Sequence, residues 1–120
     1  MIKKVSLLIT LLCCALTTLA QVRFSSNANV YNNKTDQKIG NQYIAANIGS
    51  NGTGTVTLGA LTLKAIVTSS KRDNIYKMTA YSVTLYSKNG KTVEAVITKR
   101  DKGTYVIVVY YSDGALRYEF

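Results

Sequence analysis

Residues 104–112, Thr-Tyr-Val-Ile-Val-Val-Tyr-Tyr-Ser, predict the central strand of a β-sheet. Eight of these nine residues are β-branched or aromatic, the side chains that favour strands, and Gly103 and the Asp113-Gly114 pair bound the run. Successive residues of a strand point to opposite faces, and here both faces are apolar. We therefore expect other parts of the chain to cover much of each face.

Two glycine-containing loops set the register of the strands that precede this run. If residues 88–90 form a three-residue loop with Gly90 in the left-handed conformation, Ser87 pairs with Lys91. Residues 101–103 are predicted to turn in the same way, because this choice continues the same apolar face. A slip by one residue would exchange the two faces of each strand, so the hydrophobic pattern selects this register.

The Asp113-Gly114 pair predicts a two-residue type I′ turn after the central strand. That turn would place Tyr111 opposite Leu116 and Ile107 opposite Phe120. The three turns together predict a four-stranded antiparallel meander over residues 76–120. Its inner face would comprise Tyr81, Val83, Leu85, Val93, Ala95, Ile97, Tyr105, Ile107, Val109, Tyr111, Leu116, Tyr118 and Phe120.

The residues before the meander form a more polar half, whose strand registers the pattern leaves open. The apolar positions change phase at Gly59, which predicts a β-bulge or bend in one long strand over residues 56–67. Residues 47–54 predict a flexible loop, and residues 69–74 predict a turn. The predicted fold class is all-β: a single small antiparallel domain in which the C-terminal meander packs on a less regular N-terminal β half, as a sandwich or a barrel.

Residues 1–20 have the organisation of a signal peptide. Lys3 and Lys4 give a basic start, an uncharged and mainly apolar run follows, and small residues end the segment. We predict cleavage between Ala20 and Gln21, which leaves residues 21–120 as a single β domain without a membrane span. The protein is therefore expected to be exported, to the periplasm, the cell surface or the medium.

The predicted mature chain contains no cysteine, so its core must hold it together without a disulfide. Loss of Lys3 and Lys4 leaves 13 basic and 6 acidic residues, a net charge of +7. Such a charge favours anionic partners, namely acidic glycans, lipid headgroups or nucleic acid. Export argues against nucleic acid.

The residue types that most catalytic chemistry requires are missing from the mature chain. Without His or Cys it can form neither a Ser-His nor a Cys-His nucleophile pair, and no imidazole or thiolate metal site. Paired carboxylates could still hydrolyse glycosides, but four of the six acids are Asp in predicted turns, and only Glu94 lies within a predicted strand. We expect a protein that is not an enzyme and that uses no cofactor.

Two basic runs that are distant in sequence are predicted to meet at one end of the sheet. The turns at residues 69–74 and 100–104 lie at the same end of the meander, and Tyr76 and Tyr105 begin strands there. Charge combined with aromatic stacking can hold sulfated or carboxylated sugars and phospholipid headgroups, although exposed turns also carry charges without any such role. The predicted ligand-binding residues are Lys71, Arg72, Tyr76, Lys99, Arg100, Lys102 and Tyr105.

A structural role with a protein partner is the alternative hypothesis. It would use a smaller apolar patch on the other face of the meander, or residues 116–120 as an exposed edge strand that accepts another strand. The patch comprises Val96, Val106, Val108 and Tyr110.

Overall fold

The computed structural model describes residues 22–120, which form eight β-strands and no helix. The predicted signal peptide therefore lies outside the described residues. The all-β prediction is confirmed, and over residues 22–120 no helix is long and apolar enough to cross a membrane. The strands are β1 (Val22–Asn32), β2 (Lys38–Ile48), β3 (Thr53–Leu58), β4 (Leu61–Asp73), β5 (Met78–Tyr86), β6 (Thr92–Arg100), β7 (Tyr105–Tyr111) and β8 (Gly114–Glu119).

The eight strands form one closed antiparallel barrel, in which each strand pairs with the next and β8 pairs with β1. Val30 of β1 stands opposite Tyr118 of β8, and Asn32 stands opposite Leu116. Of the two architectures that the sequence allowed, the chain therefore adopts the barrel. The prediction of an exposed C-terminal edge strand is wrong, because β8 is paired on both sides, with β7 and with β1.

Side chains from the loop between β1 and β2 stabilise the pairing of β1 with β8. The Arg117 guanidinium, on β8, donates hydrogen bonds to the Asp36 carboxylate and, at 3.2 Å, to the side-chain oxygen of Asn33. It also lies over the ring of Tyr31, 4.9 Å from the ring centre. The hydrogen bond to Asp36 raises the pKa of Arg117, so the guanidinium that links β8 to the loop between β1 and β2 stays charged.

The meander pairs as its first two loops predicted. Leu85 stands opposite Val93, and Ala95 stands opposite Val109. Gly90 and Gly103 have φ angles of +80° and +95°, the left-handed conformation that favours glycine in three-residue hairpin loops. Both of these register predictions are confirmed.

The last hairpin is shifted by two residues from its prediction. Tyr111 pairs with Gly114, so the loop consists of residues 112–113 and the predicted type I′ turn is wrong. A shift of two keeps every side chain on its predicted face, because the side-chain period of a strand is two. It also brings Phe120 beside Tyr105, where the two rings stack with their centres 5.7 Å apart. Packing of this terminal ring favours the observed register over the one that local turn chemistry suggested.

The N-terminal half contributes four regular strands to the barrel. The phase change at Gly59 marks a hairpin, not a bulge: residues 59–60 form a tight turn in which Leu58 stands opposite Leu61. Gly59 has a φ of +64°, a conformation that tight turns and bulges both assign to glycine. The predicted bulge is therefore wrong. The sequence pattern could not distinguish the two, because a bulge and a two-residue hairpin turn both reverse which alternate residues point inward.

Residues 69–74 also differ from their prediction. Residues 69–73 continue β4, and the turn lies instead at residues 74–77. A register shift between Val67 and Ser69 keeps this polar segment paired with β5. Its composition resembles that of a turn, but pairing along β5 satisfies its backbone groups, which local propensity does not take into account.

Apolar side chains from all eight strands form the buried core, and among the described residues no polar or charged residue is buried. The predicted inner face of the meander is confirmed at its buried positions. These are Tyr81, Val83, Leu85, Ala95, Ile97, Tyr105, Ile107, Val109 and Tyr118, with Val93, Leu116 and Phe120 packed partly buried against them.

The up-and-down topology gives the barrel two ends with different interiors. At the end we call the closed end, the rings of Phe24, Tyr105 and Phe120 pack together, with that of Phe24 centred 4.6 Å from Tyr105 and 4.8 Å from Phe120. The opposite end, which we call the open end, has no such cluster among residues 22–120. The closed end carries the loops at residues 49–52, 74–77 and 101–104, and the open end those at residues 33–37, 59–60, 87–91 and 112–113.

Candidate functional site

At the closed end, the two loops that carry the predicted basic residues are joined. The backbone N–H of Asp101 donates a hydrogen bond of 3.0 Å to the carbonyl of Lys77. The guanidinium of Arg72 donates two hydrogen bonds, of 2.6 and 2.7 Å, to the Asp101 carboxylate. Arg72 and Asp101 are 29 positions apart in the chain, so the barrel brings these distant basic runs onto one surface.

The pairing of Arg72 with Asp101 determines which charges remain available there. The hydrogen bonds from Arg72 hold the pKa of the Asp101 carboxyl below its ordinary value, and the same bonds raise the pKa of Arg72. Both groups are therefore ionised at neutral pH, and the donors of the guanidinium are occupied by a bidentate carboxylate. The main role of Arg72 is therefore to link the segment before the 74–77 turn to the loop at residues 101–104.

The other cations at the closed end lie on both sides of the sheet. Lys99 is beside Arg72 on the inward-facing side, with Thr79 between them, whereas Lys71 and Arg100 lie on the outer side. Around the loops at residues 74–77 and 101–104, the cations outnumber the acids by four. The cations are Lys71, Arg72, Lys77, Lys99, Arg100 and Lys102, and the acids are Asp73 and Asp101.

An exposed apolar tip lies in the turn between Arg72 and Lys77. Ile75 and Tyr76, adjacent in the turn between β4 and β5, are 86% and 71% exposed, the highest values among the exposed large hydrophobic residues of the described chain. The Asp73 carboxylate accepts hydrogen bonds from their backbone N–H groups at 2.9 and 3.0 Å, which fixes the shape of the turn. The two side chains are thus presented to solvent by an ordered loop.

The predicted binding residues have different surroundings in the structure. Lys71, Lys99 and Lys102 are exposed and Arg100 is half-buried, while Tyr76 lies in the turn instead of beginning a strand. Tyr105 does begin β7, but its ring is buried in the aromatic cluster and faces the core. The sequence interpretation missed Ile75 and Lys77; the only indication of them was an Ile-Tyr pair within an otherwise polar segment.

The outer patch proposed for a protein partner lies where the sequence placed it. Val96 pairs with Val108, and Tyr110 pairs with Glu94, all on the outside of the barrel. The valines are half-buried, and Tyr110 is exposed. Such isolated surface contacts are common and do not by themselves mark an interface.

The open end contains a cavity of about 490 Å³ that the sequence interpretation did not predict. Leu85, Val109 and Tyr118 form its buried wall, and Leu61 and Tyr111 lie exposed at its mouth. The full lining comprises Gln42, Leu58, Leu61, Leu63, Leu85, Ser87, Asn89, Lys91, Val93, Val109, Tyr111, Leu116 and Tyr118.

The polar groups of this cavity are few. Burial, reinforced by the neighbouring phenol of Tyr111, raises the pKa of Tyr118 to about 12, so this hydroxyl is neutral at physiological pH. The hydroxyl of Ser87 hydrogen-bonds to the side chain of Asn89 and, at 3.2 Å, to the carbonyl of Lys91. The lining is thus apolar inside, with polar groups at the mouth.

Within residues 22–120, no group of three or more His, Cys, Asp and Glu side chains comes together as a metal site would require. Comparison of the chain with models of protein families, with curated proteins and with solved structures found no match.

Proposed function

We propose that the protein is an exported, non-catalytic binding module that docks on an anionic lipid surface through its closed end. The observation that carries this proposal is the exposure of Ile75 and Tyr76 in a turn that Arg72 and Lys77 flank, beside the basic loop at residues 101–104. Proteins that bind membrane surfaces without spanning them combine apolar side chains that enter the headgroup region with cations that attract anionic lipids.

Charge supports the same orientation. The excess of four cations at the closed end would attract an anionic bilayer, and each basic residue held close to such a surface strengthens binding by about fivefold. Tyr76 suits the interface, because its ring is apolar and its hydroxyl can remain in contact with water. The long side chains of Lys71 and Lys102 can reach the headgroups while their aliphatic parts lie along the loops.

An acidic glycan would use the same charges but would have no need of an isoleucine. The apolar tip therefore favours lipid headgroups among the anionic partners that the sequence suggests. This difference also separates the two partners experimentally.

Sedimentation with vesicles tests the proposal. We expect residues 21–120 to bind vesicles that contain phosphatidylglycerol, to bind pure phosphatidylcholine vesicles at least tenfold more weakly, and to lose affinity as salt increases. The double variant Ile75→Ser/Tyr76→Ser should lose most of the binding. Its matched control is Ile39→Ser/Tyr43→Ser, which removes an exposed isoleucine and an exposed tyrosine from β2, away from the closed end.

The charges are tested in the same assay. Lys71→Gln/Lys102→Gln should weaken binding about tenfold or more, whereas Lys34→Gln/Lys88→Gln removes the same charge at the open end and should have a small effect. Equal losses from the two pairs would mean that net charge alone attracts the vesicles, which contradicts the proposal. Binding to heparin that survives Ile75→Ser/Tyr76→Ser, without binding to vesicles, would assign the surface to an acidic glycan instead.

A further inference from the structure

We propose that the open end is a second, independent binding site, and that it takes an aliphatic monocarboxylate of medium chain length. The cavity supplies an apolar chamber, and Lys91 supplies a cation at its mouth. This site lies at the opposite end of the barrel from the basic surface, and no residue is shared between the two.

The dimensions suit one small ligand. Pockets that bind small molecules commonly have volumes of about 300 to 1,000 Å³, and eight-stranded barrels are just wide enough to hold one such molecule. At about 30 Å³ for a group the size of a water molecule, 490 Å³ has room for roughly 16 such groups. A carboxylate with a chain of roughly eight to ten carbons fits within this limit.

The wall determines the chemistry of the buried part of the ligand. Leu61, Val93 and Leu116 present aliphatic surface to the cavity, and the deeper Leu85 and Val109 are only 1% exposed. The phenol of Tyr118 is uncharged at neutral pH and can donate or accept a single hydrogen bond. An alkyl chain fits this interior without leaving polar ligand groups unpaired, whereas a sugar or a peptide would not.

The mouth determines the chemistry of the other end of the ligand. Lys91 is the one charged residue that lines the cavity in the described part of the chain. It pairs with Ser87, whose N–H donates to the Lys91 carbonyl at 2.9 Å, and this places it on the same inward-facing side of β6 as Val93. A ligand with its chain inside the barrel would therefore present its carboxylate to the Lys91 ammonium, next to water.

Titration calorimetry with octanoate and with 1-octanol tests the site, because these two ligands differ only in the charged group. We expect saturable binding of one octanoate per barrel and weaker binding of octanol. Val93→Trp, which fills the mouth, should weaken octanoate at least tenfold. The matched control is Val96→Trp, the same change three residues along β6 but on the outer side, and it should leave octanoate affinity unchanged.

A second filling variant guards against a folding defect. Leu61 is exposed at the mouth, so Leu61→Trp can narrow the entrance with little effect on the core. If either filled variant keeps the melting temperature of the parent protein and still binds octanoate with parental affinity, the site assignment is wrong.

The cation is tested by Lys91→Met, with Lys88→Met as its control in the same loop. Because an exposed ion pair contributes little, we expect Lys91→Met to weaken octanoate by about threefold to fivefold and to leave octanol unchanged. Lys88→Met should change neither. If Lys91→Met weakened the affinity for octanoate and for octanol equally, the proposed role of the charge would be wrong. If the parent protein bound neither ligand saturably, the proposed site would be wrong.

The two proposals fail separately. Val93→Trp should not alter vesicle binding, Lys91→Met should weaken it no more than Lys34→Gln/Lys88→Gln does, and Ile75→Ser/Tyr76→Ser should not alter octanoate binding. A closed-end variant that abolished octanoate binding while the fold remained intact would show that the two ends are not independent sites.

Discussion

The closed and open ends are made by the same eight alternating strands, yet they differ in what fills them. At the closed end the rings of Phe24, Tyr105 and Phe120 pack against one another inside the barrel. At the open end the inward positions carry mainly aliphatic residues that leave a cavity of about 490 Å³. Inward-facing apolar residues alone therefore do not make a core, because side-chain volume decides whether a barrel end is packed or retains a cavity.

The two ends also differ in the apolar side chains that they expose to solvent. The closed end exposes Ile75 and Tyr76 among cations, while the open end exposes Leu61 and Tyr111 at the mouth of its cavity. We therefore expect stability to depend mainly on the closed end and the middle of the barrel, and small-molecule binding to depend on the open end.

The largest effect is expected from the aromatic cluster. Tyr105→Ala should destabilise the protein by about 3 kcal/mol or more, because it leaves a void in a packed interior. Tyr111→Ala, on the same strand but 41% exposed at the open end, should cost under about 1 kcal/mol. Urea denaturation measures both, and equal costs would contradict the assignment of stability to the closed end.

A smaller effect is expected in the middle of the barrel. Val109 is buried and central, so Val109→Ala should cost about 2 kcal/mol, whereas Thr98→Ala on the outer side should cost under about 0.5 kcal/mol. Val109 also forms part of the cavity wall. If Val109→Ala and Thr98→Ala had the same denaturation midpoint, Val109 would not be tightly packed. The cavity would then reach the centre of the barrel, and the contrast between the two ends would be lost.

The smallest effect concerns the phenol of Tyr118 in the cavity wall. Its folded-state pKa of about 12 lies above the ordinary tyrosine value of about 10, so its contribution is complete below pH 10 and is lost as pH rises towards 12. At pH 11 this amounts to a loss of about 1 kcal/mol, to be measured as the difference in unfolding free energy between pH 9 and pH 11. Tyr118→Phe should reduce that difference.

Much of the C-terminal half could be predicted from sequence because its information is local. The alternation of Val, Ile and Tyr identified the inner face, and the glycines at positions 90 and 103 fixed two loops and their registers. The Asp113-Gly114 pair predicted a register for the last hairpin that is shifted by two residues from the observed one, since the packing of Phe120 on Tyr105 outweighed the preference of a single turn. At Gly59 the pattern was consistent with a bulge and with a hairpin, and only pairing between whole strands distinguishes them.

The candidate sites depended on contacts that no local pattern contains. The sequence indicated that two basic runs share one end. The hydrogen bonds between Arg72 and Asp101, 29 positions apart, and the burial of Tyr105 against Phe24 and Phe120 depend on how the barrel brings distant residues together. The cavity was not predicted, because its volume is what remains after side chains from several strands have packed.

Alternation, turn-forming residues and charge are properties of neighbouring residues, so the amino-acid sequence was enough to predict the β class, the inner face of the meander and the excess of positive charge. The pairing of β8 with β1, the cavity at the open end and the exposure of Ile75 and Tyr76 became evident only in the folded barrel. Closure, volume and exposure are set by all eight strands at once, through their number, stagger and packing.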